Sequence, residues 1–147
     1  MTMQRALEIL LVEDNQGDVE MIKLAFRDDT PACHVWVAND GVEALDFLHK
    51  RGKFADAPTP QLILLDLNMP RMDGKRFLEV VKAEAELKAI PVVMLTSSQS
   101  PSDIRACYER YASCYVVKPF NVDEFADTVR QVVKFWGNLG RLPCEAA

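Results

Sequence analysis

The run Leu62-Ile63-Leu64-Leu65 leads straight into Asp66, and no other stretch of the chain restricts its fold so tightly. Four apolar residues without alternation read as a strand buried on both faces, the condition of an interior strand in a parallel sheet. Open α/β sheets gather their ligands outside the carboxyl ends of the strands, so Asp66 is presented at a functional rim. Pro70 has no N–H for a sheet ladder and biases Met69 away from helix, which forces the chain out of the sheet. Asp73-Gly74 then makes a turn or caps the next helix. Taken alone, the stretch also fits an aspartate that merely ends a strand.

The same pattern recurs along the chain. Leu7–Val12 is mostly apolar and ends in Glu13-Asp14-Asn15. Gln16–Arg27 has helical spacing, with Val19, Ile22 and Phe26 on one face and Met21 and Ala25 beside it. Asp14 or Asn15 supplies its N-cap. A turn over Asp28–Ala32, containing Thr30-Pro31, leads to a strand at His34–Ala38. Asn39-Asp40-Gly41 turns into a helix over Val42–Lys50 with Val42, Leu45 and either Phe47 or Leu48 inward, and Arg51–Pro60 is a loop. After the third strand, Gly74–Leu87 is helical with Phe77 or Leu78, Val81 and Ala85 inward. Ile90–Thr96 is the fourth strand. Ser97, Ser98 and Ser100 follow as a polar loop, and Pro101 suits the first turn of a helix whose face carries Ile104, Cys107, Tyr108 and Tyr111. Cys114–Val117 is the last strand and ends at Lys118-Pro119. Asn121 or Asp123 opens the last helix, striped by Val122, Phe125, Val129, Val132 and Trp136, with Gly137 as its stop and Gly140–Ala147 as a tail. Five strands alternating with five helices predict an α/β fold: a doubly wound parallel sheet with right-handed crossovers, covered on both faces.

Composition removes several classes of function. A chain of 147 residues forms one domain with a substantial core. A net charge of −5 argues against nucleic acid, whose phosphates need a basic face. Cys33, Cys107, Cys114 and Cys144 form no C-x-x-C pair, and His34 and His49 lie elsewhere, so zinc spacing is absent. Neither histidine falls at the carboxyl end of a strand, which assigns both to surface or half-buried positions. G-x-G-x-x-G and G-x-x-x-x-G-K-[ST] are absent, leaving nucleotide cradles unsupported. Met1–Leu11 is too short and mixed for a signal peptide, and no apolar run approaches the ~20 residues of a membrane helix. The expectation is a cytoplasmic protein with reduced thiols and no membrane or nucleic-acid partner.

The strand ends hold the chemistry. The first gives Glu13 and Asp14, the third Asp66, the fourth Thr96 and the fifth Lys118. In a parallel sheet these converge on one edge. At an effective dielectric of about 20, two unit charges about 4 Å apart interact by about 4 kcal/mol, and one lysine cannot neutralise three acids. Either some carboxyl pKa values rise or a cation binds. Oxygen-only donors suit Mg²⁺ or Mn²⁺, with backbone carbonyls such as that of Asn68 able to contribute. A carboxylate beside such an ion, an ammonium and a hydroxyl is suited to phosphoryl transfer, with Asp66 as nucleophile and Lys118 and Thr96 binding phosphoryl oxygens.

Val12-Glu13-Asp14-Asn15, Leu65-Asp66-Leu67-Asn68-Met69-Pro70 with Asp73-Gly74, Leu95-Thr96-Ser97 and Lys118-Pro119-Phe120 together resemble the receiver domain of bacterial two-component response regulators. The resemblance covers about residues 6 to 136. It implies the flavodoxin-like receiver fold with strand order 2-1-3-4-5, a receiver domain over residues 6–137 and a tail over 138–147. It implies that Asp66 accepts phosphate from the phosphohistidine of a sensor histidine kinase, and that Glu13, Asp14, Asp66 and the carbonyl of Asn68 serve Mg²⁺. Thr96 stands as the switch hydroxyl, Lys118 as the phosphate-pairing lysine and Tyr115 as the switch aromatic. The Lys118-Pro119 bond is similar to one that is usually cis in the family. Glu13 replaces the commoner Asp. The run Tyr108–Pro119 and the Phe135-Trp136 ending are similar to the small stand-alone regulators that pair with bacterial and cyanobacterial phytochromes. That likeness implies a bacteriophytochrome kinase and a possible homodimer through the fourth helix, fifth strand and fifth helix, with Phe135, Trp136 and Leu139 supplying apolar area. Trp136 also fits a plain role covering the first helix.

The expected role is therefore a phosphoacceptor in phosphorelay signalling and not an enzyme. Two rivals remain at this level. A haloacid-dehalogenase-type phosphatase shares Mg²⁺ and a lysine, but places Asp-x-Asp after its first strand and carries a cap domain. A receiver-like interaction module keeps the fold without the phosphotransfer.

Overall fold

The computed structural model describes residues 7–27, 33–139 and 142–143. In chain order the elements are β1 (Leu7–Val12), α1 (Gln16–Arg27), β2 (Cys33–Ala38), α2 (Gly41–Leu48), β3 (Leu62–Leu65), α3 (Gly74–Ala83), β4 (Val92–Thr96), α4 (Pro101–Glu109), β5 (Cys114–Val117) and α5 (Val122–Lys134). A 3₁₀ turn at Gly52–Phe54 interrupts the loop before β3, and a π-helical turn at Phe135–Leu139 follows α5. The strands pair in parallel in the order β2-β1-β3-β4-β5.

The unbroken apolar runs serve two cores at once. Successive strand residues point to opposite faces. Leu10, Val12, Ile63, Leu65, Val92 and Met94 join Ala44 and Phe47 of α2, Phe77, Leu78 and Val81 of α3, and Cys107 of α4. Ile9, Leu11, Leu62, Leu64, Val93 and Leu95 join Val19, Ile22 and Phe26 of α1 with Phe125, Val129 and Val133 of α5. Burying each such Leu, Ile or Phe contributes about 1.5–3 kcal/mol. β3 is buried throughout, whereas the edge strand β2 alternates between half-buried and exposed positions until Ala38. Apolar density in the sequence thus follows position in the sheet.

Register brings the site residues level. Val12 pairs with Leu65, and Leu65 with Met94. The Asp66 N–H donates to Val12 O at 3.0 Å, the Glu13 N–H to Ala38 O at 2.9 Å, and the Lys118 N–H to Thr96 O at 2.8 Å. The ladder therefore continues one residue past the strands, into the residues that carry charge.

Several boundaries and faces differ from expectation. β2 starts one residue earlier, at Cys33, and β4 starts at Val92 rather than Ile90. α3 ends at Ala83, four residues short of Leu87, because Glu84 adopts an extended conformation (φ −94°, ψ 126°). The turn lets Leu87 enter the core and leaves Ala85 exposed. Lys82 Nζ fastens it by donating to Lys88 O and Ile90 O, both at 2.8 Å. In α2 the buried face is Ala44, Phe47 and Leu48, while Val42 and Leu45 are only half-buried. The cause is a helix begun at Gly41 and phased by its cap. In α4 only Cys107 is buried. Tyr111 lies past the helix at φ 70° and is 74% exposed, and Tyr108 is exposed too. In α5 the inward stripe is Phe125, Val129 and Val133, spaced by four; Val122 points to solvent. The π-helical turn carries the chain through Gly137 rather than stopping there. Trp136 is half-buried against the α1/α5 core, and Leu142, within the segment read as a tail, is buried in it. The turn at Thr30-Pro31, Cys144 and the Leu139 side chain lie outside the described residues.

The β2–α2 and β3–α3 loops are locked together beside the rim. Asp40 caps α2 by accepting from the Glu43 N–H at 2.9 Å. It also accepts from Arg71 Nε at 2.7 Å and Nη2 at 3.1 Å, while the Gly41 N–H donates to Met72 O. Burial pushes the Asp40 carboxyl up, but the hydrogen bonds from Arg71 and the Glu43 N–H outweigh it and hold it below the ordinary aspartate range. A depressed carboxyl stabilises the fold above its unfolded pKa, and that contribution is lost as pH falls through the folded value. Asp40→Ala should cost about 1–2 kcal/mol at neutral pH through loss of the cap. The gap to wild type should narrow as the pH drops below about 4, where the unfolded chain begins to take up the proton, and close once the pH passes below the depressed value of the folded carboxyl. Urea denaturation across that range measures both.

Candidate functional site

Glu13, Asp14, Asp66, Thr96 and Lys118 stand at neighbouring strand ends. One carboxylate oxygen from each of Glu13, Asp14 and Asp66 lies within 4.8 Å of the other two. Glu13 is buried, Asp66 half-buried and Asp14 exposed. Glu13 Oε2 accepts from the Asn15 N–H at 3.2 Å, and Asp66 Oδ1 from the Leu67 N–H at 2.8 Å.

Lys118 reaches across the sheet into this group. Its Nζ donates to Glu13 Oε1 at 2.5 Å, to Asp18 Oδ2 at 2.8 Å and to Asp66 Oδ2 at 3.4 Å. Asp18 is the residue that sequence reasoning missed. It lies in the first turn of α1, where Asn15 Oδ1 accepts its N–H at 3.0 Å. In sequence it reads as an ordinary acid near a helix N-terminus, and only the tertiary structure brings the ammonium to it.

Charge is unbalanced here. Burial drives the Glu13 carboxyl up to about 7; the Lys118 ammonium opposes the shift and the Asp66 charge adds to it. Burial works against the Lys118 charge, but hydrogen bonds to Asp18 and Glu13 outweigh it and hold the ammonium above the ordinary lysine range. Lys118 therefore stays charged, and its one positive charge is divided among three carboxylates while Asp14 adds a fourth. Of the two escapes open to such a cluster, the rise of Glu13 is the proton-binding one. A hard divalent cation on the same oxygen donors is the other, and the donor set fits it.

Thr96 is fully buried at the end of β4, where its Oγ1 accepts from the Ser98 N–H at 3.4 Å. Among the described residues no hydrogen bond joins the Thr96 hydroxyl to the Asp66 carboxylate or to Lys118 Nζ. The Tyr115 hydroxyl donates to Ser98 O at 2.9 Å, and Ser98 Oγ donates to Asp103 Oδ2 at 2.6 Å. Lys75 of α3 completes the chain with a 2.7 Å contact to Asp103 Oδ1. Asn68 is exposed and lines a polar cavity of about 50 Å³ with Leu67, Asp73, Lys75 and Asp103. Larger concavities lie away from the rim. One of about 290 Å³ is lined by Glu79, Lys82 and Arg110; one of about 340 Å³, at the amino ends of the strands, is lined by Pro60, Gln61 and Pro91. The histidines are elsewhere too: His34 pairs with Glu8 and His49 with Glu84.

The pattern of the response regulator receiver domain matches residues 9–130. The chain belongs to the response regulator receiver family. Response regulator Rcp1 of Synechocystis sp. is 37% identical over 135 residues, covering 92% of each chain. The phosphorylated cyanobacterial phytochrome response regulator RcpA superposes with a TM-score of 0.91 at 37% identity, over 95% of this chain and 99% of that one. The Mn²⁺-bound form of Rcp1 gives 0.88 at 36% identity, over 93% and 99%. Receiver domains are phosphoacceptors in two-component phosphorelays. Among the described residues no helix is long and apolar enough to cross a membrane.

Two outcomes test this receiver rim. A Cβ on Gly74 would lie 2.3 Å from Asp66 O and 2.9 Å from Leu67 Cα, both backbone atoms. Gly74→Ala should therefore destabilise by about 1–3 kcal/mol and weaken cation binding by displacing the Asp66 loop, as read by denaturant unfolding and cation titration. Mg²⁺ or Mn²⁺ at about a hundredfold its Kd should stabilise the wild type by about 2.7 kcal/mol. Asp14→Asn should remove most of that gain in thermal melts.

Proposed function

We propose that Asp66 is the phosphoacceptor of this receiver and takes its phosphoryl group from the phosphohistidine of a sensor histidine kinase. The observation that carries this reading is the setting of the Asp66 carboxylate. It is oriented by the Leu67 N–H, grouped with Glu13 and Asp14 within 4.8 Å, and 3.4 Å from Lys118 Nζ. In the transfer, an Asp66 oxygen attacks phosphorus, the N–P bond breaks, and the electron pair leaves with the imidazole nitrogen. Mg²⁺ is the proposed cofactor, held by Glu13, Asp14, Asp66 and the Asn68 carbonyl; when bound, it neutralises charge on the transferring group. Lys118 pairs with the phosphoryl oxygens.

The switch follows from the same reading. Thr96 turns toward the phosphoryl group and Tyr115 fills the space it leaves. Support comes from Ser98: its N–H contacts Thr96 and its carbonyl accepts from Tyr115, so one residue joins the two. Lys75 and Asp103 extend that link to α3 and α4.

The proposed kinase is a bacteriophytochrome or a similar phytochrome. The reading is supported by 37% identity to the cyanobacterial phytochrome response regulator RcpA, over 95% of this chain. A homodimer through α4, β5 and α5 belongs to the same proposal. Phe135, 51% exposed, leaves apolar area for it, whereas half-buried Trp136 spends part of its surface on its own core. The receiver unit is proposed to span 6–137, in the cytoplasm.

Incubation with radiolabelled acetyl phosphate and Mg²⁺ should label the wild type and leave Asp66→Asn unlabelled. Undiminished labelling of Asp66→Asn would refute the assignment.

A further inference from the structure

Lys118 has three N–H donors and three carboxylate partners. The nearest are Glu13 and Asp18, and Asp66 is the farthest. Asp18 stands outside the trio able to share a cation. Among the described residues its carboxylate pairs with Lys118 only. The side chains also differ in exposure: 2% for Glu13 and 22% for Asp18.

We propose that Asp18 is a positioning residue for Lys118, whose carboxylate competes with a phosphoryl group on Asp66 for the ammonium and so limits how tightly the site holds that group. The inference rests on the reading of Asp66 as phosphoacceptor. A phosphoryl group brings up to two charges and three acceptor oxygens next to Nζ. To meet them, Lys118 must give up an existing partner. Glu13 is a poor one to release, since its side chain is buried and no water can take the place of the lost hydrogen bond. Asp18, at the edge of the site, regains water when released and costs less. The exchange therefore runs from Asp18 to the phosphoryl oxygens, and the strength of the Asp18–Lys118 pair is subtracted from phosphoryl affinity. This assigns the acid on α1 a role that its place in the sequence does not reveal.

The test is the affinity for beryllium trifluoride, a phosphoryl mimic, measured by ¹⁹F NMR and calorimetry with saturating Mg²⁺. Asp18→Asn should bind it about three- to tenfold more tightly than wild type, the scale of one lost competing contact. A damaged fold would weaken binding, so a gain separates positioning from structural support. Glu20→Gln removes the same charge from the same helix at an exposed position and should leave the affinity within about twofold. Unchanged or weaker binding by Asp18→Asn, or an equal gain in Glu20→Gln, would overturn the proposal. If folded wild-type protein binds no beryllium trifluoride, it is the Asp66 reading that fails, and this inference falls with it. If the wild type binds and Asp66→Asn does not, that reading stands whatever Asp18 does.

Discussion

A single ammonium divided among Glu13, Asp18 and Asp66 is the contact on which the rim depends. Lys118 arrives from β5, Asp66 from β3, and the two nearer acids from β1 and α1. The parallel register makes the meeting unavoidable, because Val12 and Leu65 pair directly and the next residues of both strands are acids. Carboxylates so close repel unless a positive charge stands between them. The sheet is stable enough to hold them because its central strands β1, β3 and β4 are buried on both faces. The cores on the two sides thus support an arrangement that the charges alone would disperse.

That arrangement is incomplete as a charge balance, and the deficit suits a receiver. Glu13 is driven upward by its burial, while Lys118 stays charged because its acids outweigh the cost of its own burial. A site left short of positive charge is prepared for a divalent cation. A site whose lysine is already shared is prepared to exchange partners. On the other side of the rim, Ser98 joins the regions of Thr96 and Tyr115, and Asp103 carries the connection to Lys75. A change at the strand ends therefore has a short physical route to α3, α4 and β5.

Much of this was readable from residue order. β1, β3 and β5 fall where their apolar runs lie, and α1 has the predicted bounds and face. The acids, the threonine and the lysine are legible because parallel topology converts a list of strand ends into one edge. Helix ends and faces were less legible where competing local contacts intervene. α3 stops early because Leu87 has to reach the core and Lys82 holds the turn that brings it there. Tyr111 looked like part of a helical stripe, yet the chain has already left the helix at a left-handed residue. Trp136 fitted two roles in sequence, and in the structure it packs on its own core while Phe135 beside it remains exposed.

By itself the sequence determined the layered α/β architecture and which residues end the strands, because side-chain alternation and apolar continuity are local properties of the chain. It determined in the same way that acids would exceed bases at one edge. Only the tertiary structure decided how that excess is distributed. Asp18 pairs with a lysine a hundred residues away, Asp40 with Arg71, and Asp103 with Lys75. Such pairings depend on which helices pack side by side and on the depth at which each charge is buried. Those are properties of distances through space, which spacing along a chain does not encode.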